Sequence, residues 1–265
     1  MNSQITSMLT LVTKEVKRVL RIWVQTLIPP AITMSLYFLI FGTLIGKRIG
    51  EMVPGIGYIE YIAPGLIMMS VITNSYGNVV GSFFNAKIQG HIEEMLVAPM
   101  SEISIVLGYV AGGMIRGLFV ALVVTLISLF FTDLSIHRPF LTILVIIMTA
   151  AVFSLAGLVN AIFAKTFDEI AIIPSFVLAP LTYLGGVFYT ISLLPDFWQI
   201  VSRFNPILYM VNSMRYSMLG ISDINIIDGI LMIIVFFFLL LIFFLFLLII
   251  FLFLHIFCLF LPIFC

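Results

Sequence analysis

Charge is scarce in this chain. Charged residues fill only 9 % of its 265 positions, whereas hydrophobic residues fill 63 %. A soluble domain carries about 25 % charged residues, so these side chains are too few to cover a water-facing surface of this size. Most of the surface is therefore expected to face lipid. The net charge is zero and no basic run occurs, so no nucleic-acid partner is expected.

Motifs of enzymes, metal sites and disulfide scaffolds are missing as well. The two cysteines, Cys258 and Cys265, lack a metal-ligand or redox spacing, and the three histidines are far apart in the chain. Neither a phosphate-binding G-x-x-x-x-G-K-[ST] loop nor a G-x-S-x-G serine motif occurs. The sequence therefore predicts no enzyme activity, no cofactor and no metal. Any energy drawn from ATP would have to come through another subunit.

What the chain has instead is long apolar runs. A membrane span needs about 20 apolar residues to cross roughly 30 Å of hydrocarbon. Six runs satisfy this, and none alternates with the period of two that barrel strands require. They cover residues 27–45, 61–84, 103–131, 140–163, 170–189 and 230–255. The predicted fold is an all-α integral membrane protein with six transmembrane helices.

Residues 1–26 form a separate amphipathic element. Its basic face and its apolar face predict a helix that lies in the interface of an anionic cytoplasmic leaflet. The alternative is an ordinary basic flank before the first span, and both interpretations place the N-terminus in the cytoplasm. The basic face consists of Lys14, Lys17, Arg18 and Arg21, and the apolar face of Leu9, Val12, Val16, Leu20 and Trp23.

Counting spans from that end places residues 85–102 and 164–169 in the cytoplasm. The first of these segments predicts a short helix over residues 87–99, which Asn85 would cap and Pro99 would end. One stripe of this helix is apolar, and Lys87, Glu93 and Glu94 are among the residues on its other faces. The apolar stripe consists of Ile88, Ile92, Met95 and Leu96.

The net charge of segment 85–102 indicates what this helix binds. Lys87 stands against Glu93, Glu94 and Glu102, so an anionic leaflet would not attract the segment. A protein partner explains it better. Glu93 and Glu94 are expected to pair with basic residues of that partner, the alternative being two solvated carboxylates on an exposed loop.

Arg116 falls well inside the third apolar run. An arginine at the centre of a bilayer costs at least about 2.5–3.5 kcal/mol unless it is paired or hydrated. One interpretation is a cation that faces the helix bundle or a pore. The alternative is an arginine that reaches back to the interface because its span begins later, near Gly112.

Residues 190–220 are too polar for a continuous span and predict two short re-entrant helices before the last span. The alternative is an extracellular loop with aromatic anchors at the interface. Asn205, Pro206 and Arg215 are expected to set the outer turn near an exit gate, or to form a purely structural turn. Residues 256–265 continue the last span as an apolar tail, with a second short hairpin near Pro262 as the alternative.

Five stretches of this sequence resemble the ABC-2-type transporter permeases, the membrane subunits of bacterial ABC exporters. Together with their spacing they extend over about 220 residues, and the enterobacterial-type inner-membrane permeases are the most similar. The stretches are RIWVQTLIPPAITMSLYFLIFG (21–42), YIAPGLIMMSVITNSY (61–76), IEEMLVAPMS (92–101), FSLAGLVNAIFAKTFDEI (153–170) followed by PLTYLGGVFY (180–189), and FNPILYMVNSMRY (204–216).

The resemblance implies an assembly as well as a fold. It implies that residues 1–26 are a connecting helix and that residues 87–99 are a coupling helix. It also implies that the chain pairs with a second copy and with two copies of a cytoplasmic ATPase in the bacterial inner membrane. The family usually ends in a short basic tail, whereas this chain continues in Phe, Leu and Ile.

Two other classes of function are open at this point. A secondary transporter would need intramembrane carboxylates or matched broken helices, and no acidic residue falls mid-span in the first four predicted spans. A membrane scaffold or assembly factor that transports nothing would lack an ATPase partner. Co-purification with a neighbouring ATPase separates this class from an exporter.

Overall fold

The computed structural model describes residues 3–98 and 100–260, and the side chains of residues 4–98, 100–244 and 246. Helix dominates this part of the chain, and its one sheet is a two-stranded antiparallel ribbon. The protein is an all-α integral membrane protein, which confirms the predicted fold class.

The elements follow one another with short connections. In chain order they are α1 (Ser3–Arg21), α2 (Trp23–Tyr37) with a π-helical continuation (Phe38–Ile45), α3 (Gly46–Ile49), β1 (Glu51–Val53), β2 (Ile56–Gly57), α4 (Tyr58–Ile88), α5 (His91–Val97), α6 (Glu102–Phe131), α7 (Pro139–Phe163), α8 (Phe167–Ile173) with a π-helical continuation (Pro174–Leu178), α9 (Ala179–Leu184), a 3₁₀ turn (Ile191–Leu193), α10 (Asp196–Arg203), α11 (Pro206–Leu219) and α12 (Ile226–Phe260).

Five helical segments in the described part of the chain are long and apolar enough to cross a membrane. They are Trp23–Ile49, Glu102–Phe131, Pro139–Phe163, Phe167–Leu184 and Ile226–Phe244. The predicted second span, α4, is not among them because side chains such as Asn74 and Asn78 make it more polar. Its 31 residues extend about 46 Å, which is longer than a bilayer core. The count of six spans stays a prediction.

The core of the molecule is α4 packed between α6 and α7. Glycines on the two outer helices let the backbones approach closely. A Cβ on Gly113 of α6 would lie 2.5 Å from the Val79 side chain of α4, and one on Gly157 of α7 would lie 2.6 Å from the Tyr76 carbonyl oxygen of α4. α4 is consequently buried along most of its length.

Helix α1 runs beside the first half of α6. Leu11 lies against Gly108, and Glu15 lies against Gly112, so equal steps along the two helices stay in contact. The two helices are therefore parallel neighbours. This arrangement differs from an isolated helix that contacts only lipid.

The face of α1 that packs on the protein is not the predicted apolar face. Leu9, Leu20 and Trp23 stay exposed, whereas the buried stripe contains Val19. α1 also ends at Arg21 rather than near residue 26, and α2 follows after a single turn residue. The interfacial position of this element stays a prediction.

Segment 85–102, which is predicted to be cytoplasmic, is built differently from the expected single helix over 87–99. α4 continues to Ile88, Gly90 turns the chain at φ +76°, and α5 covers only His91–Val97. Asn85 is not a cap, because it lies inside α4 and donates to the Gly81 carbonyl. Pro99, the expected end, lies outside the described residues.

The fifth predicted span and residues 46–60 also differ from what the sequence patterns indicate. The fifth predicted span, 170–189, ends at Leu184 because Gly186 adopts φ +72° and turns the chain. Pro174 opens its π-helical part, since proline has no N–H for the regular helix ladder. Residues 46–60 hold the β1–β2 ribbon, which the sequence patterns did not predict.

The region before the last span contains two short helices, α10 and α11, within the predicted range 190–220. Their depth in the membrane stays a prediction. α12 continues without a break past the predicted end at 255 as far as Phe260. The tail beyond that residue, with the alternative hairpin near Pro262, lies outside the described residues.

The α4–α7 contact yields a stability prediction. We expect Gly157→Ala to destabilise the protein by about 1–3 kcal/mol, because the new methyl group meets the rigid Tyr76 backbone. Gly77→Ala on α4 is the matched control, since a Cβ there meets nothing within 4 Å. Thermal unfolding in detergent measures both. Equal midpoints for the two variants would contradict close packing at Gly157.

Candidate functional site

Helix α5 lies outside the core at one end of the bundle. Ile92 and Met95 pack against the hydrophobic cluster formed by α4, α6 and α7, so two members of the predicted stripe face the protein. Leu96 and Ile88 are exposed instead, and Val97 keeps 89 % of its surface. The carboxylates of α5 point away from this packing.

Glu93 and Glu94 lie in the first turn of α5, where the helix dipole favours negative charge. Both are exposed. Glu94 approaches His91 at 3.6 Å, an exposed pair worth little on its own. The exposed side of the helix therefore carries acidic and apolar groups together.

More apolar side chains are exposed at the ends of neighbouring helices. They belong to the start of α6, the end of α7 and the start of α8, which meet at the same end of the bundle. These residues are Ile103, Phe163 and Phe167. With Ile88, Leu96 and Val97 they form a surface that we call the coupling surface.

Lys87 is placed differently from the other predicted coupling residues. Its ammonium donates to the carbonyl oxygens of Ile162 and Ala164 at 2.6 Å and 2.9 Å. These groups close the C-terminal end of α7, where a cation also complements the helix dipole. Burial lowers the pKa of Lys87, and nearby Glu169 partly opposes that shift. Lys87 thus ties α4 to the C-terminal end of α7.

Arg116 lies in the middle of α6 and turns toward α4. One terminal nitrogen donates to the Asn74 side-chain oxygen at 3.3 Å. Within the described residues no carboxylate pairs with it, and its Nε has no hydrogen-bond partner. A mid-helix cation with so few partners is costly in a membrane.

Next to Arg116 lies a buried ion pair that the sequence patterns missed. Glu15 of α1 is fully buried, and Arg18 contacts its carboxylate at 3.0 Å. The Ser82 hydroxyl lies 2.8 Å from both carboxylate oxygens. Arg18 also donates to the Asn78 side-chain oxygen at 2.7 Å. A lone acidic residue three positions before an arginine on a basic helix was the available signal.

The opposite end of the bundle is organised around Arg215, which is fully buried. Its guanidinium donates to the Gly186 carbonyl at 2.7 Å and stacks 3.9 Å above the Tyr61 ring. Asp223 lies 3.8 Å from it and also accepts from the Tyr61 hydroxyl. The network joins α4, the turn after α9 and the turn after α11.

Asn205 and Pro206 begin α11 as its cap and first residue. The Asn205 side chain accepts from the Ile207 N–H and donates to the Leu181 carbonyl at 2.6 Å. These contacts anchor α11 to α9. The structure therefore places Asn205 and Pro206 at the start of the helix that carries Arg215, and the α5 residues elsewhere, and Arg116 joins neither group. Within residues 3–98 and 100–260, no group of side chains could hold a metal ion.

The chain is similar to one protein family and to several individual proteins. A model of the ABC-2 type transporter family matches residues 6–219. The sequence is 57 % identical over 223 residues to the inner membrane transport permease YadH of Escherichia coli K12, which is 84 % of this chain and 87 % of the relative.

More distant relatives carry a different name. Nodulation protein J of Rhizobium leguminosarum bv. viciae is 23 % identical over 203 residues, which is 76 % of this chain and 78 % of the relative. Nodulation protein J of Sinorhizobium fredii is 25 % identical over 186 residues, 70 % of each chain.

The Arg215 network predicts a large stability effect. Arg215→Ala leaves Asp223 without its cationic partner and the Gly186 carbonyl without its donor, so we expect a loss of about 3–5 kcal/mol. Arg203→Ala is the control, because that arginine is exposed and such substitutions change stability by about 0.5 kcal/mol or less. Thermal unfolding in detergent is the measurement. A loss no larger than that of the control would show that the network does not stabilise the fold.

Proposed function

Because this chain belongs to the ABC-2 type transporter family, we propose that it is the permease subunit of an ABC exporter in the bacterial inner membrane. A separate ATPase subunit supplies the energy. The sequence of this chain has no phosphate-binding loop of its own. The proposed orientation has the N-terminus and α5 in the cytoplasm.

The observation that carries the proposal is the form of α5. Its inner side is fixed to the core through Ile92 and Met95, and its outer side presents Glu93, Glu94 and Val97. A groove on an ATPase with basic and apolar residues complements such a surface. A helix held in this way transmits a push instead of bending away from it.

A force on α5 has two routes into the bundle. One runs through Ile92 and Met95 to the cluster that α4, α6 and α7 share. The other runs through Lys87, which holds the ends of α4 and α7 together just above α5. Closure of the ATPase subunits would shift these helices as packed bodies, the usual form of such transitions.

The path for the substrate lies between two copies of the chain in this proposal. The segments Trp23–Ile49, Phe167–Leu184 and Ile226–Phe244 expose most of their apolar side chains. Each of these surfaces therefore contacts lipid or a second copy. Rotation of the helices against the second copy would open the path outward.

A secondary transporter fits the structure less well. Glu15 is a buried carboxylate, the feature that such a transporter would need, but Arg18 and Ser82 already pair with it. A scaffold without transport makes a different prediction from the exporter, namely that no ATPase binds at α5.

The first test reverses the charges of α5. We expect Glu93→Lys with Glu94→Lys to abolish co-purification of the ATPase subunit, because the variant repels a basic groove. The control double variant, Glu51→Lys with Asp133→Lys, changes two exposed acidic residues outside the coupling surface. Affinity purification of the co-expressed complex measures the binding. Unchanged co-purification of the α5 variant would contradict the docking role.

The second test separates docking from transmission. Lys87→Met leaves the α5 surface intact and removes two charged hydrogen bonds at the end of α7. We expect the ATPase to bind as before, with the permease destabilised by about 1–3 kcal/mol. Lys165→Met, at an exposed lysine in the neighbouring loop, is the control.

Co-purification and thermal unfolding are measured on the same samples. A Lys87→Met protein as stable as the Lys165→Met control would show that Lys87 does not hold the two helix ends together. Loss of the ATPase from Lys87→Met would assign Lys87 to the docking contact instead.

A further inference from the structure

The place where α1, α4 and α6 meet carries an excess of positive charge. Two guanidinium groups, Arg18 and Arg116, lie there with one carboxylate, Glu15. Glu15 is already bound by Arg18 and Ser82. In the described part of the chain Arg116 has no anionic partner, so the cluster has a net charge of +1.

The polar groups left unpaired in this cluster can all donate. They include the Arg116 Nε and the Asn78 Nδ2, neither of which has a hydrogen-bond partner in the described structure. The neighbouring side-chain oxygens are occupied, since Asn78 accepts from Arg18 and Asn74 accepts from Arg116. Buried donors are nearly always paired, so the cluster lacks an acceptor.

Arg18 connects this cluster to the surface. It also lines a shallow, open groove on the outer face of α1, and all residues that line this groove belong to that helix. The other charged residues that line the groove are Lys14, Lys17 and Arg21, and no acidic residue lines it. The groove therefore attracts anions and leads them to Arg18.

The same groove has an apolar side. Leu9 lines it and is half-exposed, Leu20 is exposed on the same helix, and Trp23 is exposed at the start of α2. A basic patch beside exposed apolar side chains matches the two parts of an anionic lipid. A free anion has no use for the apolar part.

We propose that this cluster is a binding site for one anionic phospholipid per chain. The phosphate oxygens bind between Arg18 and Arg116 and accept from Asn78, and the acyl chains lie along the apolar side of α1. Such a site differs from general attraction to the leaflet, because it is saturable and depends on a residue inside the bundle. It stands whether or not the protein transports lipid.

The test is native mass spectrometry of the full-length protein in detergent, without the ATPase. The probes are phosphatidylglycerol and phosphatidylcholine, which differ in headgroup charge. We expect one phosphatidylglycerol to bind each chain about tenfold or more tightly than phosphatidylcholine, as charged hydrogen bonds allow. Arg116→Gln removes this preference. Arg203→Gln, at an exposed arginine outside the cluster, keeps it.

A further variant and one competitor make each outcome decisive. Asn78→Ala weakens binding by about fivefold without a change in charge, and it replaces Arg116→Gln if that variant does not fold. Equal binding of both lipids, or an unchanged preference in every cluster variant, overturns the proposal. If inorganic phosphate alone raises the unfolding midpoint in an Arg116-dependent way and phosphatidylglycerol does not, the occupant is a free anion and the lipid assignment is wrong.

Discussion

Polar side chains run through the centre of this molecule along α4, and each must find its partner inside the protein because lipid offers none. Tyr76 accepts from Asn160 of α7, Asn78 accepts from Arg18 of α1, and Asn74 accepts from Arg116 of α6. These contacts require three helices to lie within hydrogen-bond reach of one. The glycines of α6 and α7 allow that approach.

This constraint also gives the molecule two well-defined ends. At one end Lys87 closes α7 and sits above the exposed helix α5. At the other end Arg215 gathers Tyr61 of α4 and the turn at Gly186. A single buried helix therefore connects the surface where an ATPase would act with the region proposed as an outer gate. Movement at one end has a rigid element to travel along.

Much of the fold follows from the length of the apolar runs, since a run of about 20 residues without alternation has only one common structure in lipid. The stripe on α5 was also predictable, and Ile92 and Met95 do pack inward. The break before α5 was visible as Gly90, but a glycine becomes a break only when the backbone takes φ +76°.

The partners of the charged residues were beyond sequence reasoning for a different reason. Glu15 is buried because Ser82, 67 positions away, comes to lie against it. The sequence patterns place Lys87 on the same helix as Glu93 and Glu94, but in the fold it belongs to α4. Its ammonium donates to a backbone carbonyl of α7. Backbone acceptors leave no signal in residue identity.

Photo-crosslinking from α5 tests directly whether the ATPase subunit binds at this helix. A photoreactive amino acid at Val97, which is 89 % exposed, is compared with one at Phe140, which is 92 % exposed at the start of α7. If the ATPase binds at α5, we expect a crosslink between Val97 and the ATPase subunit and none from Phe140. Crosslinks from Phe140 but not from Val97 would contradict both the docking surface and the orientation.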